Sequence, residues 1–273
     1  MQGNILSLNL SSKLYDILWR VLDNLYCQNY PQTQPLDLSD TLPLIAGCEH
    51  ELDDWVSALP HPFRLGNTEP GKDILEETNF DYEISINLVK LLHLRYYGLR
   101  LLIHRPILEQ HLSDTKSFLA LGSETSNGVG FVAGCCQHSL DTISTASIKI
   151  ISVADSFEGT LVPGMWWTSL YFGKTIGAAT LTLKYADKTW PVFNAAVTCF
   201  AIILIQARGP TLEQRQSIKM TNLQNSIRLA FSALQKLAPG HQAIHRATDF
   251  LRHILELSEI LSGCSGNLCG RED

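Results

Sequence analysis

Apolar residues recur every three or four positions along most of the chain, which is the spacing of one face of a helix. The first such segment covers 10–29, with Ser11 and Ser12 as candidate N-terminal caps. The longest covers 82–112, where Pro106 is expected to kink or end the helix. We find neither strand alternation nor a hairpin turn. The pattern predicts an all-α fold of about eight helices with a long central helix.

The other periodic segments are shorter and are separated by polar or proline-containing stretches. Pro31, Pro35 and Pro43 define a connector that cannot continue the first helix. A polar loop is predicted at 63–81. The remaining predicted helices are 48–58, 130–153, 165–185, 192–207, 211–237 and 241–262.

The chain length favours one domain over 1–273, with an ordered core at 9–262 and a flexible tail at 263–273. Hydrophobic residues make up 45% of the chain and charged residues 18%, which is typical of a globular protein with a large apolar interior. Such an interior can wall a cavity for an apolar small molecule.

The charge pattern excludes some partners. The net charge is -6 and no run of Lys or Arg occurs, so we expect no direct contact with nucleic acid. No apolar run approaches the roughly 18 residues of a membrane span, so no membrane contact is expected. The chain start lacks signal-peptide features, and the 7 cysteines are scattered, which indicates reduced thiols in an intracellular protein, cytoplasmic or nuclear.

A polar stripe follows the long helix. His93, Tyr97, Arg100 and His104 are spaced four, three and four residues apart, so they lie on one face. One interpretation is that they hydrogen-bond to neighbouring helices, as buried polar groups must. The other is that they line a pocket, where the catalytic candidates are His93 and His104 for proton transfer and Arg100 for binding negative charge.

An aromatic cluster follows the proline turn at Pro163. Trp167 and Tyr171 are four residues apart and share a helical face, with Trp166 beside them. Clusters of this kind are more often core than ligand site. Together with Tyr97, these three residues are the candidate ligand-binding wall.

A histidine stripe lies near the C-terminus, where His241, His245, Asp249 and His253 recur every four residues. Two histidines at this spacing can chelate a metal ion, but Gln242 stands where a zinc hydrolase helix carries Glu. A solvated polar face is favoured, and no metal is expected. Because nucleophile elbows, phosphate loops and dinucleotide fingerprints are also missing, we expect no cofactor.

The segment 92–108, LHLRYYGLRLLIHRPIL, resembles the most recognisable motif of the fungal-specific transcription factor domain, the helical regulatory region of fungal zinc-binuclear-cluster activators. Segments 52–60, 136–143 and 163–171 are similar to other parts of that region, in the same order. The family's six-cysteine DNA-binding cluster has no counterpart here, and neither do the first helices of its regulatory region. The resemblance implies an N-terminally truncated regulatory domain that cannot bind DNA by itself.

Three functional hypotheses follow. The first is a ligand-binding regulatory module. The second is a cofactor-independent cyclase or isomerase of secondary metabolism, in which His93 or His104 transfers a proton and Arg100 or Tyr97 stabilises negative charge on an apolar natural-product intermediate. The third is a helical interaction module that forms a homodimer.

Overall fold

The computed structural model describes residues 2–26, 36–60, 63–65, 82–113, 127–157, 183–207, 214–237 and 242–267. Helices account for 94% of these residues and no strand occurs among them, which confirms the all-α prediction. None of the helices in these ranges combines the length and apolarity needed to cross a membrane.

The described ranges contain seven α-helices, which we number in chain order. Helix α1 is continued by a π-helical turn at Leu22–Tyr26. The predicted helix at 165–185 lies almost entirely outside the described residues. The helices are α1 Gln2–Val21, α2 Leu38–Ser57, α3 Tyr82–Ser113, α4 Asn127–Asp155, α5 Leu183–Ala207, α6 Gln214–Leu237 and α7 Gln242–Asn267.

Two compact units divide the chain, Met1–Ile143 and Ser144–Asp273. In the first, α1, α2 and α3 pack against one another in pairs. Their facing residues recur at three and four positions, as the periodicity predicted. The core comprises Leu10, Leu14, Ile17, Leu18, Val21, Leu25, Ile45, Cys48, Leu52, Trp55, Leu59, Phe63, Val89, Leu92, Tyr96, Leu99, Leu102, Ile103, Ile107 and Cys136. The prediction of one domain across both units stays a prediction.

Helix α1 begins earlier than predicted. It starts at Gln2, so the prediction that Ser11 and Ser12 cap it is wrong. Ser11 is buried within the helix, and its hydroxyl accepts a hydrogen bond from Arg95 of α3. A serine that resembles a cap in the sequence therefore joins two helices instead.

Helix α2 is about twice the predicted length and contains Pro43, so the prediction that Pro43 belongs to a connector is wrong. Asp37 caps the helix: its carboxylate accepts from the Leu38 N–H at 2.7 Å, and its carbonyl accepts from the Thr41 N–H at 3.0 Å. This cap starts the helix ahead of Pro43. The proline then removes only one backbone hydrogen bond, in the second turn of the helix. Pro31 and Pro35 lie outside the described residues.

Helix α3 continues through Pro106 to Ser113. Of the two predicted effects of the proline, a kink or the end of the helix, the end of the helix at Pro106 is therefore wrong. Proline has no N–H to donate to the carbonyl four residues earlier, which belongs to Leu102. The Tyr26 hydroxyl donates to that carbonyl at 2.7 Å. The π-helical turn thus places a side chain that replaces the missing helical bond.

The second unit contains a compact group of helices in which α5, α6 and α7 pack against one another. Four alanines of α5 and α6 are fully buried, and side chains this small leave room for neighbouring helices to approach closely: Ala195, Ala196, Ala230 and Ala233. Gln224 of α6 donates to the Ser258 carbonyl at 3.0 Å and to the Ser262 hydroxyl at 2.7 Å, both on α7. The core residues of these helices are Val192, Ala195, Ala196, Cys199, Ile202, Ile203, Met220, Leu223, Ile227, Ala230, Ala233, Leu234, Ile244, Leu251 and Ile254.

Helix α7 extends to Asn267, five residues beyond the predicted end at 262. Residues 263–267 of the predicted flexible tail are therefore helical, and 268–273 lie outside the described residues.

Buried thiols predict a graded reactivity. Burial raises the pKa of Cys199 to about 12 and that of Cys136 to about 11, whereas Cys135 is partly exposed. Because the thiolate is the nucleophile, we expect iodoacetamide to alkylate Cys135 in the native protein and Cys136 and Cys199 only after unfolding. Peptide fragmentation spectra distinguish the sites. Native labelling of Cys199 at the rate of Cys135 would contradict the core as described.

Candidate functional site

The predicted stripe lies on a helix that is buried on most sides. His93 is 6% exposed and His104 is 1% exposed, while Tyr97 and Arg100 are partly buried. The two histidines are eleven residues apart, which is about 16 Å along an α-helix. They cannot act together on one small reacting centre.

His104 contacts two protein oxygens. Its Nδ1 lies 3.1 Å from the Ser139 hydroxyl of α4, and its Nε2 lies 3.1 Å from Glu49 Oε1 of α2. A carboxylate can only accept, so the ring nitrogen that faces Glu49, Nε2, carries a proton. The distance between His104 Nε2 and Glu49 Oε1 is that of an ion pair, but the two groups are not aligned as in a good hydrogen bond.

Arg100 contacts the same carboxylate. Its Nε and Nη2 lie 3.2 and 3.1 Å from Glu49 Oε2, and its Nη1 donates to the Tyr96 hydroxyl at 3.3 Å. The sequence left open whether Arg100 binds an acidic ligand or an acidic side chain, and here Glu49 occupies it. We refer to Glu49, Tyr96, Arg100, His104 and Ser139 as the Glu49 cluster.

The cluster keeps Glu49 ionised in a largely buried position. Burial raises the pKa of this carboxyl group, but the contacts with His104 and Arg100 lower it by more, so the pKa lies below its ordinary value of 4.5. The attraction between ionised Glu49 of α2 and Arg100 of α3 therefore helps to hold these two helices together.

The depressed pKa of Glu49 predicts a specific acid sensitivity. Because the pKa of Glu49 is lower in the folded state than in the unfolded state, the ionised carboxylate stabilises the fold. This stabilisation is complete above the unfolded-state pKa of about 4.5, and it is lost as the pH falls through the lower pKa of the folded state. We expect the difference in melting temperature between the wild type and Glu49→Gln to shrink as the pH falls below about 4.5. A difference that stays constant from neutral to acid pH would contradict this assignment.

The order Ser139, His104, Glu49 has the contacts of a catalytic triad, but the surroundings are unsuited to acyl transfer. Ser139 is 2% exposed and lies inside α4, where backbone N–H groups bond to the helix and cannot form an oxyanion hole. The geometry is that of a buried cross-link between three helices.

Of the predicted ligand-binding residues, Tyr97 lies in the described part of the chain and contacts the Glu49 cluster. Tyr97 packs edge-on against Tyr96, with ring centroids 5.0 Å apart. Trp166, Trp167 and Tyr171 lie outside the described residues.

The C-terminal stripe carries ordinary helix-surface contacts. Asp249 pairs with Arg252 at 2.9 Å, and its carbonyl accepts from His253 Nδ1 at 2.7 Å, while His241 lies outside the described residues. Within the described part of the chain, no three side chains of the metal-binding types come together.

A groove of about 570 Å³ lies between α1 and α2 in the first unit. Trp55 forms part of its floor: the ring is 5% exposed, its Nε1 donates to the Leu10 carbonyl at 3.1 Å, and it stacks on Tyr96 of the Glu49 cluster at 6.1 Å. Trp19, which is 71% exposed, lies at the edge. The lining residues are Leu10, Lys13, Asp16, Ile17, Trp19, Arg20, Glu51, Asp54, Trp55 and Ala58.

No family model, curated protein or solved structure matches this chain. The resemblance to the fungal-specific transcription factor domain therefore stays an expectation from the quoted motifs.

Sequence reasoning missed Glu49, Ser139 and the groove. Glu49 and His104 are 55 positions apart, and no local spacing relates them. Trp19 did leave a signal, because it is a large aromatic residue among the polar positions of an amphipathic helix.

Proposed function

We propose that the chain is a helical module that binds an apolar small molecule in the groove between α1 and α2. The observation that carries this proposal is the groove itself. Its volume of about 570 Å³ falls within the range of roughly 300–1,000 Å³ that is typical of ligand pockets. Five of its ten lining residues are apolar or aromatic and the other five are charged, so the groove offers both an apolar surface and polar groups that can orient a ligand.

Binding without turnover is favoured over the cyclase or isomerase hypothesis. Proton transfer to a substrate needs a ring nitrogen within reach of the substrate. Both nitrogens of His104 face protein oxygens at 3.1 Å, and the side chain is 2% exposed. These contacts supply a structural reason for the histidine that requires no reaction.

A regulatory role is consistent with the contacts of the groove floor. Trp55 stacks on Tyr96, whose hydroxyl accepts from Arg100, which in turn contacts Glu49. A ligand that shifts Trp55 would therefore act on a side chain in direct contact with the Glu49 cluster. With a net charge of -6, we propose that the module acts through a ligand and not by contacting DNA itself.

We also propose an intracellular location. Cys48, Cys135, Cys136 and Cys199 are free thiols, as expected in a reducing compartment. A homodimer stays a prediction that no contact described here addresses.

Native mass spectrometry after incubation with a lipophilic extract tests the proposed binding. We expect the wild type to retain a small molecule whose mass is unchanged from that in the extract, and Trp19→Ala to lose at least half of the bound signal. The matched control is Phe131→Ala, which removes another exposed aromatic ring, 73% exposed and outside the groove lining. Absence of any bound molecule, or recovery of a chemically converted one, would overturn the proposal.

A further inference from the structure

The charged residues that line the groove carry a net negative charge. Lys13 and Arg20 are opposed by Asp16, Glu51 and Asp54, which leaves a net charge of -1. Arg20 and Glu51 neutralise each other across the groove at 2.6 Å. Of the other two carboxylates, Asp54 lies 3.8 Å from His50 Nε2, and Asp16 forms no ion pair with a lysine or arginine among the described residues.

Trp19 and Asp16 provide an aromatic ring and a carboxylate next to each other. They are three residues apart on α1, so their side chains are neighbours on the helix surface. Trp19 is 71% exposed, which leaves its ring face open to a ligand. An indole face beside a carboxylate is the combination that stabilises an organic ammonium group.

The single lysine of the lining does not make the groove selective for anions. Lys13 is three residues from Asp16, so an anion at Lys13 and a cation at Asp16 would each lie close to one like charge, and the net charge of -1 of the lining favours the cation. The apolar floor, formed by the buried lining residues Leu10, Ile17 and Trp55, suits a hydrocarbon body.

We infer that the ligand of this groove is an organic ammonium ion with an apolar body, the cation lying at Trp19 and Asp16 and the body on the apolar floor. This inference rests on the proposed function, since it names the class of ligand for the same groove.

Three probes of similar shape and different charge test the inference: phenethylammonium, phenethyl alcohol and hydrocinnamate. Binding is measured at neutral pH from the tryptophan fluorescence of the intact chain. We expect phenethylammonium to bind at least fivefold more tightly than either other probe. Trp19→Ala should weaken its binding about tenfold and Asp16→Asn about threefold.

Matched controls separate local from general effects. Asp40→Asn removes the same charge from an exposed position of α2 outside the groove lining, and Phe131→Ala removes an exposed aromatic ring. Both should leave phenethylammonium binding unchanged within twofold. Equal weakening by Asp16→Asn and Asp40→Asn would overturn the inference, because it would reduce the effect to overall charge.

The outcomes also separate the inference from the proposed function. If phenethyl alcohol or hydrocinnamate binds as tightly as the ammonium and Trp19→Ala abolishes that binding, the groove is a ligand site and the inferred charge class is wrong. If none of the three probes binds to the wild type, both the ligand class and the groove as the binding site are overturned.

Discussion

Replacing Glu49 by alanine is expected to lower the free energy of unfolding by about 3 kcal/mol. The carboxylate faces Arg100, whose side chain is 27% exposed, and His104, whose side chain is 2% exposed. Its removal leaves a partly buried guanidinium group without its charge partner and a buried imidazole without the carboxylate that lies 3.1 Å from its Nε2. Urea denaturation at neutral pH measures the loss.

Glu109→Ala is the matched control for Glu49→Ala. Glu109 also pairs with an arginine, at 2.8 Å, but its side chain is 55% exposed, so its loss should cost less than about 1 kcal/mol. Equal effects of the two substitutions would contradict the conclusion that the Glu49 cluster holds α2, α3 and α4 together.

Tyr26→Phe is expected to lower the free energy of unfolding by about 1–3 kcal/mol. The hydroxyl donates to the Leu102 carbonyl, which Pro106 leaves without its helical donor. Burial also raises the pKa of the Tyr26 hydroxyl above its ordinary value of 10.0, so the group remains a donor across the physiological range.

A double-mutant cycle isolates this role. In a Pro106→Ala background the alanine N–H can donate to the same carbonyl, so Tyr26→Phe should then cost less by about 1 kcal/mol. Tyr97→Phe, on the same helix as the carbonyl, should cost less than about 0.5 kcal/mol because no hydrogen bond to its hydroxyl occurs among the described residues. Identical costs of Tyr26→Phe in both backgrounds would show that the hydroxyl does not compensate for the proline.

The helices of the core were predictable because their signal is local. The three-and-four spacing of apolar residues in α3 needs no partner to be recognised, and the structure places this helix in the middle of the first unit's core. The errors arose where a distant residue decides the outcome. Pro106 is tolerated through Tyr26, eighty positions earlier, and no pattern around the proline indicates that donor.

The candidate site was predictable only in part, for the same physical reason. The stripe on α3 correctly identified Arg100 and His104 as buried or partly buried polar groups that need partners. It could not identify Glu49, which lies in a separate predicted helix at 48–58. Trp19 and Trp55 line one groove because α1 and α2 pack side by side. The sequence pattern of either helix alone does not predict which helix it packs against.

The tryptophan indole signals in a ¹H–¹⁵N NMR spectrum test the central claim most directly, because the 5 tryptophans distinguish the two candidate ligand sites. Single Trp→Phe variants assign the signals, and the wild type is titrated with whichever of the three phenyl probes binds. We predict that the indoles of Trp19 and Trp55 shift with ligand concentration. Shifts confined to Trp166 and Trp167, or no shift of any indole, would contradict a ligand site between α1 and α2.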